Sequence, residues 1–208
     1  MFANRLLRLR RRALTGLSLA LLTLVALLTP AQAASADYPY RVALPMALGA
    51  QRPTPTPSPT PDGPCAQAQV MAALIAGHPG QRRATMVLDP ILQQVAQAKA
   101  EDMAARHYFD HTNPEGYGPN YLARQAGYPL PSYYLTAPTA NNIESLAADS
   151  PDAELILQAW LASPGHRVHV LGEQAFFAAQ IEYGIGYATS TGGEYSEYWV
   201  FISACRGR

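Results

Sequence analysis

Near the C-terminus, Ile181, Tyr183, Ile185 and Tyr187 alternate with Glu182, Gly184, Gly186 and Ala188. That period of two describes a strand with large side chains on one face and almost none on the other, so another element can lie close against the bare face. Thr191-Gly192-Gly193-Glu194 reads as a turn, and the nearly unbroken apolar run from Tyr198 to Ala204 as a second strand covered on both faces. The segments before this hairpin have the longer period of helices. Val70, Met71, Leu74 and Ile75 stop at Gly77; Asp89-Pro90 opens a helix with the face Leu92, Val95, Ala96, Ala100 and Met103, leaving Gln94, Gln97 and Glu101 outside. A short helix is expected from Pro119 to Ala126. Another follows Ser150-Pro151-Asp152 and buries Leu155, Ile156, Ala159 and Trp160. Helices first and a hairpin last imply an α+β domain with helices packed over an antiparallel sheet, to which Ile143 to Ala147 can add a strand.

The N-terminus carries Arg5, Arg8, Arg10, Arg11 and Arg12, an apolar run from Ala13 to Leu28, and the small-residue site Ala31-Gln32-Ala33. This is the pattern of a secretory signal peptide over 1–33, with an uncleaved anchor as the alternative and the export route, general or twin-arginine, left open. A Pro/Thr-rich linker is expected over 34–64, because the alternating prolines of 53–62 remove amide donors and fix φ. One domain remains, 65–208. Cleavage would remove five of the 15 Lys and Arg and none of the 15 Asp and Glu, leaving 10 basic against 15 acidic residues, a balance of −5. Such a surface argues against nucleic acid as a partner, and no stable membrane insertion is expected once the signal is gone.

Cys65 and Cys205 are the two cysteines, one at each end of the expected domain. In an exported chain they are expected to form a disulfide. The five histidines supply the chemistry. His111, in Tyr108-Phe109-Asp110-His111-Thr112, and His166, in Ser163-Pro164-Gly165-His166-Arg167, each sit beside turn formers, and imidazole serves metal binding and proton handling near neutral pH. Pairing His107 with His111 and His166 with His169 would make a four-histidine zinc site; two histidines on a weakly held metal, or purely structural imidazoles, are the other readings. His-Glu-x-x-His and Gly-x-Ser-x-Gly are both absent from the sequence. A mid-chain group of tyrosines, Tyr117, Tyr121, Tyr128, Tyr133 and Tyr134, reads as loop packing or a binding surface.

The order of these landmarks resembles bacterial members of the CAP superfamily, the cysteine-rich secretory, antigen 5 and pathogenesis-related proteins. Ala100-Glu101-Asp102-Met103-Ala104 leads into Tyr108 to Gly116, then Ala126-Gly127-Tyr128, Asn142-Ile143, Trp160 to Arg167, Gly184-Ile185-Gly186-Tyr187 and Tyr198-Trp199-Val200. The resemblance implies an α-β-α sandwich with a central antiparallel sheet between helical layers. It also implies a cleft in which His111 and His166 match the family's two histidines. Asn141 stands where the family has its first glutamate, and the second glutamate has no counterpart near Ser163. Glu144 can replace the missing carboxylate only if the chain turns between 141 and 144, since an extended chain points them to opposite faces. The expected binding cleft is therefore His111, His166, Asn141 and Glu144, with His111 and His166 as ligands of a weakly bound divalent metal such as zinc. The expected function is secreted, extracellular binding of a lipid, envelope component or protein partner; the alternative is a metal-assisted, peptidase-like hydrolase using His111 and His166.

Overall fold

In the computed structural model, the described residues are 42–43 and 65–207. The expected signal peptide and nearly all of the expected linker lie outside them. In chain order the elements are β1 (Val42–Ala43), α1 (Ala66–Gly77), β2 (Val87–Leu88), α2 (Pro90–Arg106), α3 (Pro119–Gln125) and β3 (Glu144–Ala148). They continue with α4 (Ala153–Ala162), α5 (Pro164–Leu171), α6 (Ala175–Ala178), β4 (Glu182–Thr189) and β5 (Glu197–Ala204). Val42 and Ala43 thus place a two-residue edge strand inside the stretch read as linker.

Local chemistry sets the main boundaries. Asp89 caps α2 by accepting the amides of Ile91 and Leu92 at 2.9 Å each, and Asp152 caps α4 through Glu154 and Leu155. His107 ends α2 in the left-handed region at φ 56°, its amide donating to the Met103 carbonyl and its Nδ1 lying 3.2 Å from Ser190 Oγ on the β4–β5 turn. The helix that Asp152 opens stops at Ser163, whose extended backbone separates α4 from α5, and Pro164 begins the new first turn.

The sheet order is β1-β3-β5-β4-β2, with β5 antiparallel to both β3 and β4; the two-residue edge strands pair in parallel. Alternation along β5 feeds two cores. Tyr198, Val200, Ile202 and Ala204 join Leu92, Ala96, Ala100 and Met103 of α2, while Trp199 and Phe201 join Met71 and Ile75 of α1, Ile156 and Trp160 of α4, and Val170 and Leu171 of α5. This is an α-β-α sandwich. Within α4 the register differs from expectation: Leu155 is 48% exposed and Leu157 buried instead.

The glycine face of β4 lies against α2. A Cβ on Gly184 would fall 2.3 Å from the Leu92 carbonyl oxygen, and one on Gly186 2.0 Å from that of Ala96. At this approach two α2 side chains reach the strand's backbone. Gln93 donates to the Ile185 carbonyl at 2.8 Å and accepts its amide at 3.0 Å; Gln97 does the same to Tyr187 at 3.1 and 3.2 Å. Four residues of helix and two of strand advance by nearly the same distance, roughly 6 and 7 Å, so the two pairs stay in register. Gln97, read from periodicity as solvent-facing, is instead half-buried and occupied in this way.

The expected disulfide does not form: Cys65 and Cys205 are both free thiols. Cys65 packs with the α1/α4 core beside Tyr187, whereas Cys205 follows β5 on the α2 side, next to the β4 start that pairs Glu182 with Ala204. Opposite faces and opposite ends of β4 put them beyond the span a disulfide can bridge. Cys205 Sγ instead meets the hydroxyls of Tyr133 and Tyr134 at 3.0 and 3.4 Å.

Candidate functional site

His111 sits in the loop that follows α2, where Asp110 Oδ1 accepts the Thr112 amide in a tight turn. Its Nδ1 lies 2.8 Å from Glu144 Oε1 and 3.0 Å from Asn141 Nδ2. The chain does turn between 141 and 144. Asn141 Oδ1 accepts the amides of Ile143 and Glu144 at 3.1 and 2.9 Å, and its Nδ2 donates to the Glu144 carbonyl at 3.1 Å. This asparagine turn swings the first residue of β3 onto the side of the chain that Asn141 occupies, so both reach His111. The two backbone amides fix the orientation of the Asn141 side chain, leaving two groups at one imidazole nitrogen. The carboxylate gives the shorter, charge-assisted contact, so Nδ1 carries the proton and donates to Glu144.

His166 is in the first turn of α5, 2% exposed, with Nδ1 3.0 Å from Ser163 Oγ. Burial, and then the nearness of His111, lower its pKa from 6.5 to about 4. Its imidazole is therefore neutral at pH 7. One turn on, His169 is buried between Ser145 Oγ at 2.7 Å and Ser203 Oγ at 2.9 Å, and desolvation pushes its pKa well below the usual range. Arg83 completes this internal network. It donates to the carbonyls of Gln180, Val170 and His169 at 2.7, 2.8 and 2.7 Å and to Ser203 Oγ at 3.0 Å, tying the end of α5 to the approach to β4.

His107 and His169 thus serve the hairpin turn and the interior, and the four-histidine arrangement is not assembled. Among the described residues, four buried side-chain atoms have no hydrogen-bond partner: His111 Nε2, His166 Nε2 and Glu144 Oε2, and the Tyr198 hydroxyl on β5. Among the described residues, no three His, Cys, Asp or Glu side chains converge in a way that could hold a metal ion. The division of labour explains this: Glu144 grips the far nitrogen of His111 as an orienting group, leaving two imidazole nitrogens as candidate ligands. Sequence reasoning passed over Lys99, Arg83, Ser203 and Gln180. Lys99 carried a signal, since it stands on the apolar stripe of α2 beside Ala96, Ala100 and Met103. An apolar groove of about 330 Å³ between α1, β2 and β4, bordered by Ala72, Ala76, Leu88, Tyr183 and Ile185, includes none of the histidines.

The three-layer fold and the motif-borne histidines define a CAP domain. Residues 79–203 match the model of the cysteine-rich secretory protein family, CAP, and the chain belongs to that family. Protein YkwD of Bacillus subtilis is 29% identical over 103 residues, which cover 50% of this chain and 35% of that protein, so the chain spans only about a third of its relative. An outer surface protein of Borrelia burgdorferi has the same fold at 17% identity and TM-score 0.53, covering 68% of this chain and 93% of its own. An extracellular protein of Bacillus anthracis containing an SCP domain aligns at 23% identity and TM-score 0.47, over 71% and 45% of the two chains. No described helix is long and apolar enough to cross a membrane.

Proposed function

We propose that this CAP domain is an extracellular binding module whose contact point is the pair of imidazoles His111 and His166, and that it engages a lipid, an envelope component or a protein partner there. The observation that carries the reading is the buried, unpartnered Nε2 of each histidine. Unmet polar atoms are costly in an interior, and a ligand that supplies the missing partners recovers that cost. Glu144 and Ser163 support it by holding the two Nδ1 atoms, which leaves both Nε2 atoms to a ligand. The structural neighbour described as an outer surface protein favours the location, and the signal-like N-terminus favours the route.

On this reading the same two nitrogens would offer two ligands to a divalent metal such as zinc. With only two protein ligands the remaining positions fall to water or to the ligand, so binding should be weak. Zinc is thus a probe of the pair. Calorimetric titration should give one weak site that disappears in both His111→Ala and His166→Ala. Binding unchanged in either variant would show that the two imidazoles do not act together.

A further inference from the structure

We infer that Lys99 is a positioning residue for His111, acting through the backbone of its loop; the inference rests on the two-imidazole reading above and explains how that pair is held. Lys99 is 3% exposed on the core-facing stripe of α2. An ammonium so placed is costly to desolvate unless its protons are met, so what it holds matters. Its Nζ donates to the His111 carbonyl at 3.1 Å and to the Tyr108 hydroxyl oxygen at 3.2 Å, and lies 4.8 Å from the centre of the Tyr108 ring. The Tyr108 hydroxyl donates onward to Asp102. Asp102 pairs with Arg106, and Arg106 with Glu115 at the far side of the same loop.

The loop is therefore tied to α2 at two places, through Glu115 near its end and through Lys99 at the residue that carries the imidazole. The second tie sets the geometry of the site. The His111 to Glu144 contact is 2.8 Å long, and a displacement of roughly 1 Å takes such a bond beyond hydrogen-bonding distance. Lys99 thus holds the carbonyl of His111 while Glu144 holds its ring, and together they fix which way Nε2 points.

The test reads the tautomer of each histidine by nitrogen NMR of the full chain at neutral pH. Wild type should show His111 as the Nδ1–H form. In Lys99→Met, which keeps the stem and loses the ammonium, His111 should pass to a mixture dominated by Nε2–H, the form free imidazole favours, while His166 and His169 keep their wild-type signals. A folded Lys99→Met with His111 still in the Nδ1–H form overturns the inference, whatever it does to stability. A wild type already in the Nε2–H form overturns the two-imidazole reading as well, so the two failures are distinguishable. If Lys99→Met does not fold, the wild type decides. A slowly exchanging Lys99 ammonium with scalar coupling to the His111 carbonyl carbon is expected, and a rapidly exchanging one refutes the tie.

Discussion

Gly186→Ala tests how closely α2 is set against the sheet. The added Cβ would lie 2.0 Å from the Ala96 carbonyl oxygen and 2.4 Å from its carbon, both backbone atoms of α2 that cannot rotate aside. To reach even a tight contact near ~3 Å the helix must withdraw by ~1 Å, a strain that typically costs about 1 to 3 kcal/mol. The same withdrawal takes the Gln97 contacts, already 3.1 and 3.2 Å long, out of range, and each is worth about 0.5 to 1.5 kcal/mol. The expected loss is about 2 to 6 kcal/mol, a large part of a typical domain stability of about 5 to 15 kcal/mol. In urea unfolding, with a slope of about 2 kcal/mol per molar, the midpoint should fall by about 1 M or more. Gly192→Ala is the control, because its Cβ would meet the His107 ring at an ordinary 3.5 Å. A Gly186→Ala protein within about 0.5 kcal/mol of wild type would refute the close-approach argument.

Three further outcomes are expected. With a folded pKa of about 4 against 6.5, His166 leaves the unfolded state binding more protons between those values, so its stabilisation is complete above pH 6.5 and lost as pH falls to about 4. The full loss from His166 is about 3 kcal/mol; urea midpoints at pH 7 and pH 4.5 should show most of it, and His166→Gln should reduce the dependence, leaving the part that the similarly lowered His169 contributes. Arg83→Lys replaces a planar fork that meets three carbonyls and a hydroxyl with a point charge; chemical denaturation should register a loss of about 2 to 4 kcal/mol, and an unchanged midpoint would count against the network. Peptide mapping without reductant should find no Cys65 to Cys205 crosslink, whereas such a peptide would contradict their placement on opposite faces of the sheet.

The sequence was most legible where one residue type has one physical use. Asp89 before Pro90 marked the start of α2, and the alternating glycines of β4 announced a close neighbour on one face. His111 and His166 could be picked out because their motifs are distinctive. What stayed hidden depended on tertiary geometry. Gln97 looks like any solvent-facing glutamine until the helix is known to lie over an open strand edge, and Glu144 counts as misdirected until Asn141 bends the chain. The two cysteines bracket the domain in sequence, yet nothing in their spacing reveals which face of the sheet each one joins. β2 spans only two residues and carries no periodicity to detect.

The sheet order also governs when the domain can fold as the chain is made. β5, the last strand in sequence, is the middle strand in space, and β4 just before it carries the backbone groups that Gln93 and Gln97 engage. Until residue 182 has emerged, the only strand pairing available among the described residues is the two-residue contact of β1 with β3. A nascent chain at that point therefore holds all the described helices with little sheet to pack them on, and a premature stop anywhere before Glu197 removes the strand both cores share. The domain therefore commits to its fold only once β5 has emerged, because the strand that both helical layers pack against is the last of the described elements to be made.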